Sequence, residues 1–456
     1  FNFFKDMRAL LIKHGDMVYP MREAIKKYPD AKAILIQWGP FIHLNIVGPE
    51  YIKEFNNRII TDFDKINTIS VMGDTGLLML TGDNWKLHRK ILADSFRFEL
   101  FEKNISDNHA ATIEFFENLS ATEMEGFVPR DQLKRVFSAI TGQNFFGENV
   151  DKRTLEGKSV LSYLLELFEE ASSLSLNPII VSSPEKLRLR FGRYRRFSEK
   201  REKLREKLLQ IIKETCEKIK ANPNLKGRNI IEGLLEAQAQ HKDRNSTLND
   251  EGIVGEFITL LFAGTDTTTI MLTVTLYYLT VYPDLLKDLI EEIHHSILNG
   301  KVTSISQLNS LELMHSTLKE VLRLYPPLSF GAREAVRDIQ LLDIKIKKGD
   351  MAGIAITANN SNPKYWEDPE KFNPRRFMKG ALPSNMEPFA FLTFSAGMRN
   401  CLGQHFAMIQ AKLVLATFLT MFDFKLVPDY KLRMGFKVLY EPMDPVKLIL
   451  TKKVVS

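Results

Sequence analysis

The sequence predicts one mainly α-helical domain with small β-sheets, an α+β fold that takes in residues 1–456. Three observations support this prediction. Helical periodicity dominates from about residue 84 to residue 300. Short β-like runs occur only near the N-terminus and after Tyr325. No repeat, low-complexity tract or flexible linker divides the chain into separate parts.

The N-terminal part predicts a hairpin followed by a helix. The apolar runs AILIQW and FIHLNIV flank Gly39-Pro40, and Pro49 suits the first turn of a helix. The long helical segments that follow are predicted at residues 84–101, 106–120, 157–176, 196–221, 251–280 and 283–298.

The C-terminal part predicts small sheets around an irregular stretch. The runs LLDIKIKKGD and MAGIAITAN are joined by Gly349-Asp350 and read as strands. A Pro-rich stretch at residues 362–377 has no periodicity. The final residues return to strands, including DFKLV and VKLILTKK.

Composition excludes several classes of protein. Hydrophobic residues make up 44% and charged residues 26%, ordinary globular values that exclude a disordered or polytopic membrane chain. A net charge of +6 over 456 residues argues against a nucleic-acid binder. Two cysteines without a CxxC pair indicate no disulfide framework and a reducing compartment. The opening FNFFKDMRALLIKHGD is too charged for a signal peptide or a membrane span. We expect a processed or truncated start, or one whose first segment is disordered.

The ten residues from Phe394 to Gly403 (FSAGMRNCLG) place Cys401 in a turn just before an apolar helical run. Helix N–H groups, the helix dipole and nearby Arg399 favour a thiolate. Gly397 and Gly403 permit close approach of a flat cofactor to the backbone. The window alone leaves a buried structural cysteine as the alternative.

The nearly uncharged segment at residues 256–279 contains Ala263 and Gly264, which open one face of a predicted helix. Asp266 and Thr267 beside this gap form a plausible proton relay. Helix packing by small residues and threonines is the alternative. A membrane span is disfavoured by Asp266 near the centre, so a helix through a soluble core explains the segment better.

Two further pairs share helix faces. Glu320 and Arg323 stand at i,i+3, and a buried pair would need a further partner, for which Arg376 is the candidate. Trp85 and Arg89 stand at i,i+4 and can together hold a carboxylate. A packed Trp with a solvated Arg remains the alternative for that second pair. Further candidate carboxylate partners are Arg333 and Arg399.

These features together resemble the cytochrome P-450 family of haem-thiolate proteins, from about residue 30 to the end. The family's haem-binding signature, Glu-x-x-Arg helix, oxygen-activation motif and haem-propionate helix occur in the family's order. The signature positions are Phe394, Gly397, Arg399, Cys401 and Gly403. One departure is that the usual Pro-Glu-Arg-Phe appears with Arg375, where we expect only a change in surface charge. Another is the missing N-terminal anchor and Pro-rich hinge of the microsomal members.

The resemblance implies haem b with Cys401 as axial ligand and Phe394 packed beside the sulfur. It implies a long central helix over the haem, with Ala263 and Gly264 against it and Asp266 and Thr267 delivering protons. The propionates would be held by Trp85, Arg89, Arg333 and Arg399. Glu320, Arg323 and Arg376 would form a structural triad.

The implied function is a monooxygenase that uses O2 and electrons from a separate NADPH-dependent flavoprotein reductase, since the sequence has no dinucleotide fingerprint. A haem-thiolate isomerase or dehydratase acting on peroxides is the enzymatic alternative, and a haem-based sensor or carrier is the alternative of another class. A zinc site at Cys401 and His405 lacks further ligands.

The sequence also predicts what the protein contacts and where in the cell it is located. A hydrophobic substrate would contact segments near residues 66–80, 168–182, 257–267, 328–333 and 433–439. The basic stretch from Asn177 to Arg196 is predicted to touch an anionic membrane surface, with a solvated helix face paired as Glu199 to Lys203 as the alternative. The expected location is the cytosolic face of the endoplasmic reticulum, with the soluble cytosol as the alternative.

Overall fold

The structure is a computed structural model. It describes residues 18–453 apart from residues 39–40, 66–74, 97, 176, 178, 181–182, 222–228, 241–246, 298–299 and 383–385. The turn predicted at Gly39-Pro40 and parts of two predicted substrate segments, 66–80 and 168–182, therefore lie outside the described residues.

Helices make up most of the molecule, as predicted. In chain order they are α1 Tyr19–Lys27, α2 Pro49–Arg58, α3 Gly82–Ser95, α4 Phe98–Glu117, α5 Ala121–Glu125, α6 Pro129–Phe146, α7 Val160–Ser175, α8 Glu185–Arg188, α9 Gly192–Ala221, α10 Ile230–Gln240, α11 Asp250–Val281, α12 Pro283–Ser296, α13 Ile305–Asn309, α14 Glu312–Leu324, α15 Ile356–Asn359 and α16 Gln404–Met421.

The strands are short. They are β1 Ala33–Trp38, β2 Phe41–Ile46, β3 Phe63–Asp64, β4 Thr154–Leu155, β5 Lys158–Ser159, β6 Arg333–Ala335, β7 Ile339–Leu341, β8 Ile344–Ile346, β9 Met351–Ile354, β10 Phe422–Leu426, β11 Met434–Phe436, β12 Tyr440–Pro442 and β13 Leu448–Lys452.

The largest sheet has the order β1-β2-β9-β6-β3. Its β2–β9 pair is parallel and its other pairs are antiparallel. The remaining sheets are two-stranded pairs: β4–β5, β7–β8, β10–β13 and β11–β12. The predicted N-terminal hairpin is thus present as β1 and β2, and the two predicted C-terminal strands pair as β10 and β13.

Helix α11 runs through the core and is buried on almost every face. It and the stretch Gly397–Met421 are long and apolar enough to cross a membrane, yet 83% and 72% of their apolar windows are buried in the protein. The interpretation of residues 256–279 as a core helix therefore agrees with the structure.

Several predicted boundaries differ. The predicted segment 84–101 is divided, because α3 ends at Ser95 and α4 begins at Phe98. Helices α6 and α10 lie inside the predicted helical region but were not among its predicted long segments. The run MAGIAITAN forms a strand only to Ile354, and its second half turns into α15. These differences arise where tertiary contacts outweigh local propensity.

A buried ion pair joins α14 to the irregular stretch that precedes the cysteine. Arg323 donates to both carboxylate oxygens of Glu320, at 2.7 and 2.8 Å, and both side chains are fully buried. Arg376 completes the predicted triad, with its Nε 3.2 Å from Glu320. The backbone N–H of Asn373 also donates to Glu320, so the carboxylate has donors on both oxygens.

The same arginine fastens the backbone of the irregular stretch. Arg323 donates to the carbonyl oxygens of Asn360, Pro369 and Lys371. Its guanidinium lies 5.0 Å from the centre of the Trp366 ring. Arg375, by contrast, is 68% exposed and pairs with Asp288, as expected for a surface change.

Replacing Arg323 with Met should lower the free energy of unfolding by about 3–5 kcal/mol, because Glu320 would stay buried without its bidentate partner. Arg375→Met is the matched control, and its exposed pair should contribute at most about 1 kcal/mol. Denaturant unfolding followed by circular dichroism measures both. Equal effects of the two substitutions would contradict the structural role of the buried pair.

Candidate functional site

The cysteine loop is held by backbone contacts before α16 begins. A short 3₁₀ turn, Gly397–Arg399, leads into Cys401, whose N–H donates to the carbonyl of Phe394 at 2.8 Å. Gly397 has a φ of +68°, and a Cβ there would lie 3.0 Å from the Cβ of Asn56 on α2. This position therefore requires glycine for both conformation and space.

The Cys401 side chain is exposed, yet protein surrounds it closely enough that burial raises the pKa of the thiol. The Gly403 N–H and the Arg89 charge oppose this effect. The sequence predicted that Arg399 would favour the thiolate, and in the structure the nearby arginine that does so is Arg89. A metal cation bound at this accessible sulfur would favour the thiolate.

One turn of α11 is open in the middle of an otherwise buried helix. Ala263 is exposed and Gly264 and Thr267 are half-buried, whereas the residues on either side are mostly buried. The Thr267 hydroxyl donates to the Ala263 carbonyl at 2.7 Å. The exposed Ala263 agrees with the predicted opening. Gly264 does not, because a Cβ there would lie 3.1 Å from the Thr141 side chain on α6, so this glycine is needed for helix packing.

The Asp266 side chain points toward α6, whereas the predicted proton relay requires it to face the open turn. Its buried carboxylate pairs with Arg130 and lies 3.5 Å from the Lys134 ammonium, both on α6. Arg130 also binds Glu441 at 2.7 Å. A proton transfer that uses Asp266 would therefore require its carboxylate to leave these cations.

Gln410 was missed by the sequence analysis. From α16 its Nε2 donates to the carbonyl of Gly264 at 3.1 Å and to the Thr268 hydroxyl at 3.3 Å. The residue is buried, so this amide links the cysteine helix directly to the open turn. An uncharged polar residue within the apolar run AMIQAKLVLA was the available signal.

The Trp85 and Arg89 side chains do not form a joint carboxylate clamp. Arg89 gives its two Nη groups to the carbonyl and side-chain oxygens of Asn400, at 2.8 and 2.6 Å. The Trp85 ring instead lies 4.2 Å from the Arg399 guanidinium. Arg89 thus braces the cysteine loop, and Arg399 takes the position beside the indole.

Four cations gather next to this loop, and among the described residues one carboxylate, Asp64, attracts three of them. Arg399 donates to the Leu80 carbonyl at 2.9 Å, and its Nε is buried without a hydrogen-bond partner among the described residues. Burial, followed by repulsion from Arg333, lowers the pKa of Arg399 to about 9. Burial also lowers the pKa of Arg333, against the attraction of Asp64.

Lys65 is the fourth cation, and the sequence did not single it out. Burial and the charges of Arg333 and Arg399 hold its pKa well below the usual value. In the part of the chain that the structure describes, none of the cations Lys65, Arg89, Arg333 and Arg399 has a carboxylate within 4 Å. Buried charges are costly unless paired, so this group fits an anionic ligand with more than one carboxylate.

The predicted substrate segments are partly aromatic core. Phe257 stacks on Phe146 with ring centres 3.7 Å apart, and Phe168 stacks on Phe262 at 4.0 Å. Leu328 is half-exposed and Met434 is buried. Across the described ranges, no group of three or more His, Cys, Asp or Glu side chains could hold a metal ion, so the zinc alternative at Cys401 and His405 gains no third ligand there.

Comparisons with known proteins cover nearly the whole chain. A family model described as "Cytochrome P450" matches residues 7–448. The human protein "Cytochrome P450 4Z1" is 28% identical, over 95% of this chain and 86% of its own. The Arabidopsis thaliana "Cytokinin hydroxylase" is also 28% identical, over 82% of this chain and 71% of its own. The solved structure "Retinoic acid bound cyanobacterial CYP120A1" superposes with a TM-score of 0.78 at 23% identity, covering 92% of each chain, which establishes likeness of fold.

Proposed function

This chain belongs to the cytochrome P450 family, and we propose on that premise that it is a haem-thiolate monooxygenase. It inserts one oxygen atom from O2 into a hydrophobic substrate, with electrons from an NADPH-dependent flavoprotein reductase. The observation that carries the proposal is the accessible sulfur of Cys401, close to arginines that have no carboxylate within 4 Å in the described part of the chain. The hydroxylase activity named for the plant relative agrees with this reaction class.

The residues present fit haem b. Cys401 would ligate the iron, and Gly397, which packs against Asn56 with a positive φ, would hold the loop in its turn. Arg333 and Arg399 would bind the propionates, with the Trp85 ring beneath Arg399. Once bound, an iron with a thiolate ligand supplies O2 binding and O–O cleavage.

The open turn of α11 would handle protons. The Thr267 hydroxyl rests on the Ala263 carbonyl, and rotation of its side chain would turn the O–H toward the space that the turn borders. The ion pairs of Asp266 with Arg130 and Lys134 anchor its carboxylate, one position from Thr267 in the chain. Its part in the relay is to exchange those partners for a water molecule next to Thr267.

An amphipathic surface supports contact with a membrane on the cytosolic face of the endoplasmic reticulum. Ile179 is 66% exposed, and Leu187 and Leu189 are each 42% exposed. The basic residues among and after them are Lys186, Arg188, Arg190, Arg193, Arg195 and Arg196. The pair Glu199 to Lys203, expected for a merely solvated face, is replaced by Arg195–Glu199 and Lys203–Glu156 pairs. Exposed apolar side chains beside cations favour an anionic lipid surface.

The thiolate assignment predicts a strongly red-shifted Soret band for the reduced carbon monoxide adduct. Cys401→Ser should abolish that band, because the soft anionic ligand is lost. Cys216→Ser, which removes the other cysteine, should leave it unchanged. A histidine-type band in the wild-type protein would exclude the proposed ligand.

Thr267→Val should uncouple NADPH consumption from product formation, with product per NADPH falling at least about tenfold, because a hydroxyl near the reacting oxygen is removed. A substrate that changes the haem spin state serves for the assay. Thr269→Val is the control, since Thr269 makes the same kind of helical bond, to Thr265 at 2.8 Å, on a buried face. An isomerase or dehydratase would be indifferent to both substitutions.

The membrane contact predicts that the double variant Leu187→Ser/Leu189→Ser binds anionic phospholipid vesicles several-fold more weakly than wild type. Co-sedimentation in low and high salt measures this, and salt should weaken wild-type binding as well. The control replaces Val336 and Leu342, apolar residues with similar exposure elsewhere on the surface. Equal loss in both double variants would refute a specific membrane-facing segment.

A further inference from the structure

Three polar side chains from three parts of the chain form a hydrogen-bonded row near the start of α11. Nδ1 of His88, on α3, lies 2.7 Å from Oε1 of Glu256, on α11. Nε2 of the same ring lies 3.1 Å from the hydroxyl oxygen of Thr247, in the loop before α11. His88 and Glu256 are fully buried, whereas Thr247 is half-buried. The row therefore runs from a buried carboxylate through an imidazole to a hydroxyl that is partly open to solvent.

The hydrogen-bond roles in this row follow from the chemistry of the groups. A carboxylate only accepts, so Nδ1 of His88 carries the ring proton and donates it to Glu256, which leaves a lone pair on Nε2. The Thr247 hydroxyl donates to that lone pair. A hydroxyl that contacts a base, which is in turn oriented by a third group, is the arrangement that activates a hydroxyl as a nucleophile.

Gly252, in the first turn of α11, lets the three groups meet. A Cβ at this position would clash with the Thr247 carbonyl oxygen and would lie 3.4 Å from Cε1 of His88. Glycine is therefore required for the loop and the imidazole to approach the helix so closely. The place of the hydroxyl against the ring is fixed by the backbone of α11 as well as by its own hydrogen bond.

The first turn of α11 also offers donors for a developing negative charge. The Asn249 side chain accepts from the Gly252 N–H at 3.0 Å. In the described part of the chain, the N–H groups of Asp250 and Glu251 have no hydrogen-bond partner. The Glu251 carboxylate itself is paired with Arg205. Free N–H groups and the positive end of the helix dipole stabilise an oxyanion that forms beside them.

We propose that Thr247, His88 and Glu256 form a second chemical site, at which the Thr247 hydroxyl is acylated by short activated esters. The step is balanced. A bond forms between Oγ and the carbonyl carbon, the bond from that carbon to the leaving oxygen breaks, and the hydroxyl proton passes through Nε2 of His88 to the leaving oxygen. Glu256 is a positioning residue, because its contact is with the imidazole. The reaction uses no oxidant, reductant or metal, so it is independent of the Cys401 site.

The test treats the haem-loaded full chain with p-nitrophenyl acetate and locates the acetyl groups by peptide mass spectrometry. Hydroxylamine distinguishes the products, because it removes an acetyl ester from a threonine and leaves an acetyl amide on a lysine. We expect an acetyl ester at Thr247. Thr61 is the internal control and should stay unmodified, because it is exposed but its hydroxyl donates to the Arg58 carbonyl, at 3.4 Å, rather than to an imidazole.

Substitutions separate the nucleophile from the base. Thr247→Val, which nearly preserves the volume, should lose the ester, and Thr247→Ser should keep it. His88→Gln should slow acetylation of Thr247 at least about a hundredfold, because the general base is lost. Glu256→Gln should also slow it, because the ring is no longer held in its tautomer, while acetylation of surface lysines stays unchanged in both variants. The matched control Thr61→Val should react at Thr247 at the wild-type rate.

Wild-type protein that is acetylated on lysines alone would overturn the site. Equal rates of ester formation at Thr247 in wild type and His88→Gln would overturn the role of the imidazole. Circular dichroism verifies that each variant folds, and Thr247→Val retains the buried pair of His88 and Glu256, so its result stands even if the other variants unfold. A wild-type chain without a thiolate-type band would contradict the proposed function alone, since acetylation of Thr247 does not involve the iron.

Discussion

The fully buried pair of Glu320 and Arg323 is the interaction on which the site depends. Arg323 binds the carbonyl of Asn360, whose side chain in turn exchanges hydrogen bonds with the backbone of Leu392. Two residues later, the carbonyl of Phe394 accepts from the Cys401 N–H. The position of the sulfur is thus tied by consecutive hydrogen bonds to a charge pair on another helix. Burial makes each link costly to break, since a freed polar group would have no water to replace its partner.

Some of the charged side chains around the cysteine loop are paired with an opposite charge of the protein, and others are not. Glu320 and Asp266 have arginine partners, and these pairs hold the elements around the site in place. Arg333 and Arg399 have only the more distant Asp64 and no carboxylate within 4 Å among the described residues, and this excess of positive charge marks a place for an anionic ligand. A charged side chain without a partner is therefore a better sign of a binding site here than a charged pair. A pair is already stabilised by its own partner and needs no ligand.

Sequence alone predicted what depends on local spacing. Helix periodicity located α11 to within a residue at each end, and the i,i+3 spacing of Glu320 and Arg323 predicted their pair and its completion by Arg376. It could not predict partners set by tertiary packing. The contact of Gln410 with Gly264 joins residues 146 positions apart. The raised pKa of Cys401 reflects how densely the fold surrounds the sulfur, and the motif does not encode that density.

The Gln410 amide links the cysteine helix to the open turn of α11 by donating to the Gly264 carbonyl and the Thr268 hydroxyl. The two helices that it joins carry the proposed iron ligand and the proposed proton-handling turn. A substitution at position 410 would therefore disturb both halves of the site at once, although Gln410 itself belongs to neither half.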